Sequence, residues 1–489
     1  MSVPLAQRHG PAATELRRWI AGVGVVIGLV ATLVLGVGDP VAASGVAIVG
    51  LATVWLTIDF RAGAIALIAA SVLIPNGVAL YFGPTLPLLT FQRLTLVVLV
   101  VAALTHAPSG YLATLFAAPR IRLLLAMMLV LGVATALSSD PATSQREFLS
   151  ERGIGLPIYF AAVWLALGDE ASVHRMLRAF VAVAAIVLLL TLVEAGTGRS
   201  VVAQLQLLPA EKLDALGYHA ELERRAGLPR VQSVFQHPLQ LGAYLVAFIP
   251  LAVVLRRHAT TLWTRAGYTI VVLLGLFALV FTWSRGAWAA LLVAALWVGR
   301  RGLGRWVLFA AGGTAAVLVL AQLGFLRAST LAYRGWLISG VLHTLVAHYG
   351  FGTGPGTFAR VVIVHVGGTS ERAGVDPLAY SLTMAIEAGP IFVALLWWFV
   401  LGFLRDGNRA RDHALARGRA DTADILTALR VGVLANLILS LFSSSLFGMT
   451  TGFFMSLMLV AAIGRAARFE LEPARETPES PPPVTSPPQ

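Results

Sequence analysis

The amino-acid sequence predicts an all-α fold, a polytopic helical membrane protein with about 12–14 transmembrane helices. Three observations carry that reading. Hydrophobic residues fill 57% of 489 positions and charged residues only 12%, about half the share usual in a soluble domain. Mean hydropathy is +0.81, and apolar stretches of roughly 20 residues, the length that crosses a bilayer, recur along the chain. Arginines crowd some of the gaps between these stretches and thin out in others.

Taken in order, apolar helices are expected near 19–37, 41–58, 62–82, 88–105, 121–137, 153–168, 176–195, 238–255, 266–283, 286–299, 306–323, 379–404, 425–443 and 446–464. Arg17 and Arg18 lead into the first with no cleavage pattern, so that helix is expected to stay as an anchor. Alternating from a cytoplasmic N-terminus places Arg120/Arg122, Arg256/Arg257/Arg265, Arg300/Arg301/Arg305 and the run from Arg405 to Arg419 on the inner side, as the positive-inside rule asks. Lys and Arg then divide 23 inside to 13 outside, while the 24 acids divide evenly, so the net charge of +12 becomes +11 inside and +1 outside. Basicity is therefore a topology signal. With one lysine against 35 arginines and no basic block interleaved with aromatics, nucleic acid is excluded as a partner. Cysteine is absent, which excludes disulfides, thiolate metal sites and cysteine catalysis.

Two connections, about 196–237 and 324–378, fall on the outer side and far exceed the few residues usual between helices. Within them 203–225 and 331–349 read as short amphipathic helices suited to the membrane surface. Residues 1–470 thus form one integral membrane domain, and 471–489, rich in proline and poor in apolar residues, form a disordered cytoplasmic tail.

Chemistry-bearing residues gather in three segments. In RVQSVFQHPLQLGAYL, 230–245, Pro238 can open a helix, with His237 just before it and Arg230 within reach. A helix start offers free N–H groups and a positive dipole end to an anion; a capping histidine and an interfacial arginine explain the same residues structurally. In FTWSRGAW, 281–288, the turn is so tight that Arg285 must lie near the hydrocarbon boundary, where an ionisable group faces a cavity or partner, or snorkels. In the segment 333–358, Arg334 begins an amphipathic stretch that the glycines Gly350, Gly352, Gly354 and Gly356 break. Gly352 and Gly354 could let phosphate approach main-chain N–H groups, but the strand–turn–helix setting of a nucleotide site is missing, so a plain loop fits them as well. His343 and His348, five apart, are poorly spaced for a metal pair, and no metal or cofactor is expected.

In this order the segments resemble the O-antigen ligase and polymerase family of bacterial envelope glycosyltransferases. The likeness rests on Arg230 with Phe235, His237 and Pro238; on Ser284-Arg285-Gly286-Ala287; on Arg334 with Trp336; on Gly352, Gly354 and Phe358; and on Glu387 with Gly389. It covers about 230–404. The resemblance implies a protein of the bacterial inner membrane with both termini cytoplasmic. It implies metal-independent transfer of a glycan from a polyprenyl-diphosphate-linked donor to a hydroxyl of an acceptor glycan or glycolipid, with Arg230, Arg285 and Arg334 on the diphosphate. One departure stands out. The family carries a histidine just ahead of the span with E-x-G, whereas this chain reads Val375-Asp376-Pro377-Leu378-Ala379-Tyr380. The catalytic candidates are therefore Asp376, which could equally cap a helix before Pro377, and His237, with His365 a weaker substitute. The competing reading is a transporter or flippase of lipid-linked or anionic sugars. A glycosyltransferase with a carboxylate pair in its first outer loop fits poorly, since Asp39 stands there alone.

Overall fold

The structure, a computed structural model, describes residues 59–70, 72–74, 79–80, 89–90, 98–99, 119–149, 153–205, 213, 220–225, 227–298, 328–348, 350–366, 369–372, 380–440 and 450–471. The expected spans 19–37, 41–58 and 306–323, Asp376 and the tail from 472 lie outside these residues. Among the described residues the protein is mostly helical, and five helices are long and apolar enough to cross a membrane. It is a membrane-embedded helical protein.

Two helices and a small strand pair come first: α1 (Phe60–Ala70), β1 (Ala79–Leu80), β2 (Leu89–Thr90) and α2 (Pro119–Ala136). A short helix, α3 (Pro141–Phe148), precedes α4 (Gly155–Ala166), the long α5 (Glu170–Thr197) and the single turn α6 (Val201–Gln204). The hairpin β3 (Arg224–Arg225) and β4 (Leu228–Pro229) leads to α7 (Pro238–Arg257), α8 (Leu262–Phe281) and α9 (Arg285–Val298). After α10 (Ala328–Ala347) and α11 (Phe358–Val361) comes the hairpin β5 (Ile363–Val366) and β6 (Thr369–Arg372). The chain closes on α12 (Tyr380–Ala388), α13 (Pro390–Ala416), α14 (Ala420–Leu439) and α15 (Thr450–Leu471).

Local chemistry sets the ends. Asp169 caps α5 by accepting the Ser172 N–H, and Gly198 ends it at φ 68°. His237 caps α7, with Pro238 at the first helical position, as the sequence suggested. Thr261 caps α8.

α14 is the hub, packed against α7, α9, α13 and α15. The approach to α7 is backbone to backbone. A Cβ at Gly432 would sit 3.0 Å from the Ala247 carbonyl oxygen, the small-residue contact by which membrane helices close on one another. α8 is peripheral, with Ile270, Leu273 and Phe277 exposed along one stripe, an apolar face suited to lipid.

Ion pairs and hydrogen bonds sort the helix ends into two groups. At the first end Arg61 pairs with Asp169, Arg120 with Asp406, Arg257 with Asp424, and Arg419 with Glu170 and Glu470. That end gathers the starts of α1, α2, α5 and α14 and the finishes of α7, α13 and α15. The second end therefore holds the finishes of α2, α5 and α8 and the starts of α7, α9 and α13.

Four expectations need correction. Residues 379–404 are two helices, because Gly389 takes φ 85° and Pro390 starts a new one. A Cβ at Gly389 would meet the Gly350 carbonyl oxygen at 2.6 Å, so only glycine fits this break. Residues 203–225 are not one amphipathic helix: α6 stops at Gln204, and Arg224–Arg225 pair with Leu228–Pro229 around Gly227 at φ 80°. The span near 62–82 ends as a helix at Ala70, ahead of the helix-stopping Pro75-Asn76-Gly77. Leu89–Thr90, within the span expected near 88–105, form a strand. α10, by contrast, covers most of the amphipathic helix expected at 331–349. It buries Leu337 and Val341 against Phe358, Val362 and Ile386 and exposes Ile338, Leu342 and Val346.

Candidate functional site

Two turns meet at the second end and form a buried corner. One is 230–233, ahead of α7. The other is 282–284, between α8 and α9. The Val231 N–H donates to the Phe281 carbonyl at 3.1 Å, and Arg230 Nε donates to the Thr282 carbonyl at 3.0 Å. Ser233 and Trp283, one in each turn, are the only non-glycine residues with positive φ among the described residues, both at 54°. A bulky residue in that region is strained, and the surroundings must hold it there.

For Ser233 the holding group is Glu194, on the last turns of α5 and wholly buried. One of its oxygens accepts the Val201 N–H at 2.9 Å. The other accepts the Gln232 and Ser233 N–H groups at 2.8 and 2.6 Å. Ser233 Oγ adds a bond to the Val187 carbonyl. A single carboxylate thus fixes both the turn after α5 and the turn before α7. In the other turn, Thr282 Oγ1 accepts the Ser284 N–H and Ser284 Oγ accepts the Ala287 N–H, which starts α9.

The arginines of the corner differ. Arg230 is buried, and its Nη1 donates to Glu223 Oε2 at 2.8 Å. Glu223 also accepts from Arg225 Nε at 2.9 Å. Burial would raise the Glu223 carboxyl, but the bonds and charges of Arg230 and Arg225 outweigh it and hold the group below the usual carboxylate range. Arg285, the first residue of α9, is exposed. Three buried donors beside these residues, Gln232 Nε2, Trp283 Nε1 and Trp288 Nε1, have no hydrogen-bond partner. His237 Nδ1 accepts the Leu239 N–H at 3.1 Å.

A second polar cluster lies at the same end. The glycine loop between α10 and α11 is laid against the α12–α13 break: Thr353 N–H donates to the Ile386 carbonyl and Gly354 N–H to the Glu387 carbonyl. Phe358 N–H reaches Glu387 Oε1 at 3.3 Å. Ser138 and Ser144, before and within α3, bond to each other at 2.6 Å and to the carbonyls of Thr353 and Pro355. Arg360 pairs with Asp140. Gly352 and Gly354 adopt φ 85° and 102°. A Cβ at Gly352 would lie 2.7 Å from the Glu387 carbonyl oxygen, and one at Gly354 would overlap the Ser138 and Ser144 hydroxyls. Their glycine identity is set by close packing, and the Gly354 N–H is already engaged by Glu387.

Of the sequence-derived candidates, Arg230 and Arg285 flank one corner, His237 caps the helix that leaves it, and Gly352 and Gly354 sit in the second cluster. Arg334 lies in the second turn of α10, and Asp376 is outside the described residues. Sequence reasoning missed Glu194, whose only signal is a lone acid inside an apolar stretch, and Glu223. It also missed Arg430 and Asn436, buried in α14 with Arg430 Nε and Nη1 and both Asn436 side-chain polar atoms unpartnered. Among the described residues no three His, Asp or Glu side chains come together to hold a metal.

Fold and site together define a membrane-embedded helical bundle with a strained, arginine-flanked corner at one end. No protein-family model matches the chain, and no curated protein matches it by sequence.

Proposed function

We propose that the protein is a multi-pass glycosyltransferase of the bacterial inner membrane, with about 12–14 spans and both termini cytoplasmic. In this reading the second end faces outward, and a glycan passes there from a polyprenyl-diphosphate-linked donor to a hydroxyl of an acceptor glycan or glycolipid. The observation that supports it most is the corner itself, where two strained turns are locked together between Arg230 and Arg285. In the reaction the acceptor oxygen bonds to the anomeric carbon as the diphosphate leaves with the bonding electron pair. Charge gathers on the diphosphate oxygens, and preorganised donors stabilise it. Arginine suits the task because its planar fork binds phosphate through two hydrogen bonds and stays protonated.

His237 cannot be the base while Nδ1 accepts the Leu239 N–H, because the neutral ring then carries its proton on Nε2. It is a donor toward an anion, and removal of the acceptor proton falls to Asp376. The decisive test is transfer from a lipid-diphosphate-linked glycan in reconstituted membranes. Arg285→Ala and Arg334→Ala are each expected to lower the rate at least tenfold with the protein still folded. Full activity in Arg230→Ala and Arg334→Ala would sink the proposal.

One observation favours a second reading, transport of a lipid-linked or anionic sugar. Arg430 and Asn436 place unpartnered polar atoms within the hub helix, and polar groups inside a bundle can line a pathway. Translocation into liposomes without any new glycosidic product would establish it in place of transfer.

A further inference from the structure

Glu223 stands where a substrate anion would be expected. Its two oxygens bridge two arginines, Oε2 to Arg230 Nη1 at 2.8 Å and Oε1 to Arg225 Nε at 2.9 Å. The Arg230 side chain is 7% exposed and that of Glu223 52%, so the carboxylate closes the solvent side of the guanidinium. Glu223 sits immediately before a hairpin of two residue pairs that turns at Gly227, φ 80°, and hairpins this short are marginal by themselves. The local segment Glu223–Arg230 carries three arginines and one acid.

We propose that Glu223 is a tethered competitor that makes the Arg225–Arg230 pair selective for polyanionic phosphates. The inference rests on the reading of this corner as the site of the donor's diphosphate. With no anion bound, Glu223 occupies the buried Arg230 guanidinium at 2.8 Å. The carboxylate acts at the high effective concentration of a group on the same chain. A monophosphate offers little charge beyond what it must displace. A diphosphate brings more charge and enough oxygens to span both arginines, so it wins where the monophosphate does not. The Glu223 side chain then rotates out into water, while the hairpin, tied by the Arg230 N–H to the Glu223 carbonyl at 2.7 Å, keeps Arg225 beside Arg230.

The test is titration of the full-length protein in nanodiscs with inorganic pyrophosphate and with orthophosphate. Wild type is expected to bind pyrophosphate far more tightly than orthophosphate. Glu223→Gln keeps the side-chain length and removes the charge, and is expected to raise orthophosphate affinity about 10- to 100-fold, the range for losing a charged hydrogen-bond competitor. Glu223→Ala, which cannot reach Arg230, must show the same gain. Arg230→Ala should abolish pyrophosphate binding. If pyrophosphate binding needs Arg230 but neither Glu223 variant gains affinity for orthophosphate, the competitor is refuted while the corner remains an anion site. If wild type binds no pyrophosphate, the reading of the corner fails, and the competitor with it.

Discussion

Glu194 offers the sharpest test of how the corner is held. It is fully buried and takes three backbone N–H bonds, from Val201, Gln232 and Ser233, at 2.9, 2.8 and 2.6 Å. In Glu194→Ala all three donors lose their acceptor at once, and a buried unsatisfied donor costs about 1–3 kcal/mol. The bracket is therefore about 3–9 kcal/mol. The Gln232 and Ser233 N–H groups converge on one oxygen, so a water entering the vacated volume can serve both, which puts the expectation near the lower bound at about 3–4 kcal/mol. Glu194→Gln keeps one carbonyl oxygen and should lose about 1–2 kcal/mol. The assay is unfolding of the purified protein by SDS in mixed micelles, with limited proteolysis across 220–235 as a local readout. The corner should become cleavable in Glu194→Ala before the bundle unfolds. A variant that unfolds within about 1 kcal/mol of wild type, with 220–235 still protected, would refute the claim that this carboxylate anchors the two turns.

Other outcomes follow from the same geometry. Gly432→Ala forces a methyl to 3.0 Å from the Ala247 carbonyl oxygen across the α7–α14 contact, and should cost about 1–3 kcal/mol as overpacking, read by the same unfolding assay. Arg430→Met replaces a guanidinium whose Nε and Nη1 are buried and unpartnered; it should raise stability by about 1–3 kcal/mol and leave transfer intact, whereas lost activity would favour the transport reading. Burial raises the Glu223 and Asp169 carboxyls, but their hydrogen bonds and the arginines beside them outweigh it and leave both below the ordinary range. A depressed folded-state pKa contributes stability that is complete above the unfolded values, about 4.3 for Glu and 3.9 for Asp, and is lost as pH falls through the folded value. Unfolding midpoints should therefore drop below about pH 4, and Glu223→Gln with Asp169→Asn should flatten that drop.

The fold was legible where one helix suffices to explain its residues. α5 and α7 extend the apolar runs read at 176–195 and 238–255 by a few polar residues, and the His237–Pro238 start is written in two adjacent letters. It was less legible where apolar character runs through a break. Residues 379–404 look like one span because hydropathy does not register Gly389-Pro390, yet the positive φ and the missing proline N–H divide it. The hairpin at 224–229 was hidden for the opposite reason. Alternation there is too short for a strand pattern, and pairing is settled by contacts such as the Leu222 N–H to the Gly198 carbonyl.

The site was half legible, and the missing half follows one rule. Sequence points to charges that stand at boundaries, so Arg230 and Arg285 were visible. It does not reveal which charges are already answered. Glu194 acts on backbone groups 7, 38 and 39 residues away, and only folding brings those donors to it. Burial then assigns different work to the two arginines. Arg230 is engaged by the Thr282 carbonyl and by Glu223 and ties the two turns of the corner together. Arg285, the first residue of α9, is exposed. The glycines carry the same lesson. Gly352 and Gly354 looked like a place for phosphate to approach N–H groups, but the Gly354 N–H is bonded to Glu387 and the missing side chains leave room for the α12–α13 break and the Ser138–Ser144 pair. If the proposed diphosphate is held by side chains, exchanging Arg285 for lysine, which loses the fork and keeps the charge, should impair transfer more than any substitution confined to the glycine loop that leaves the protein folded.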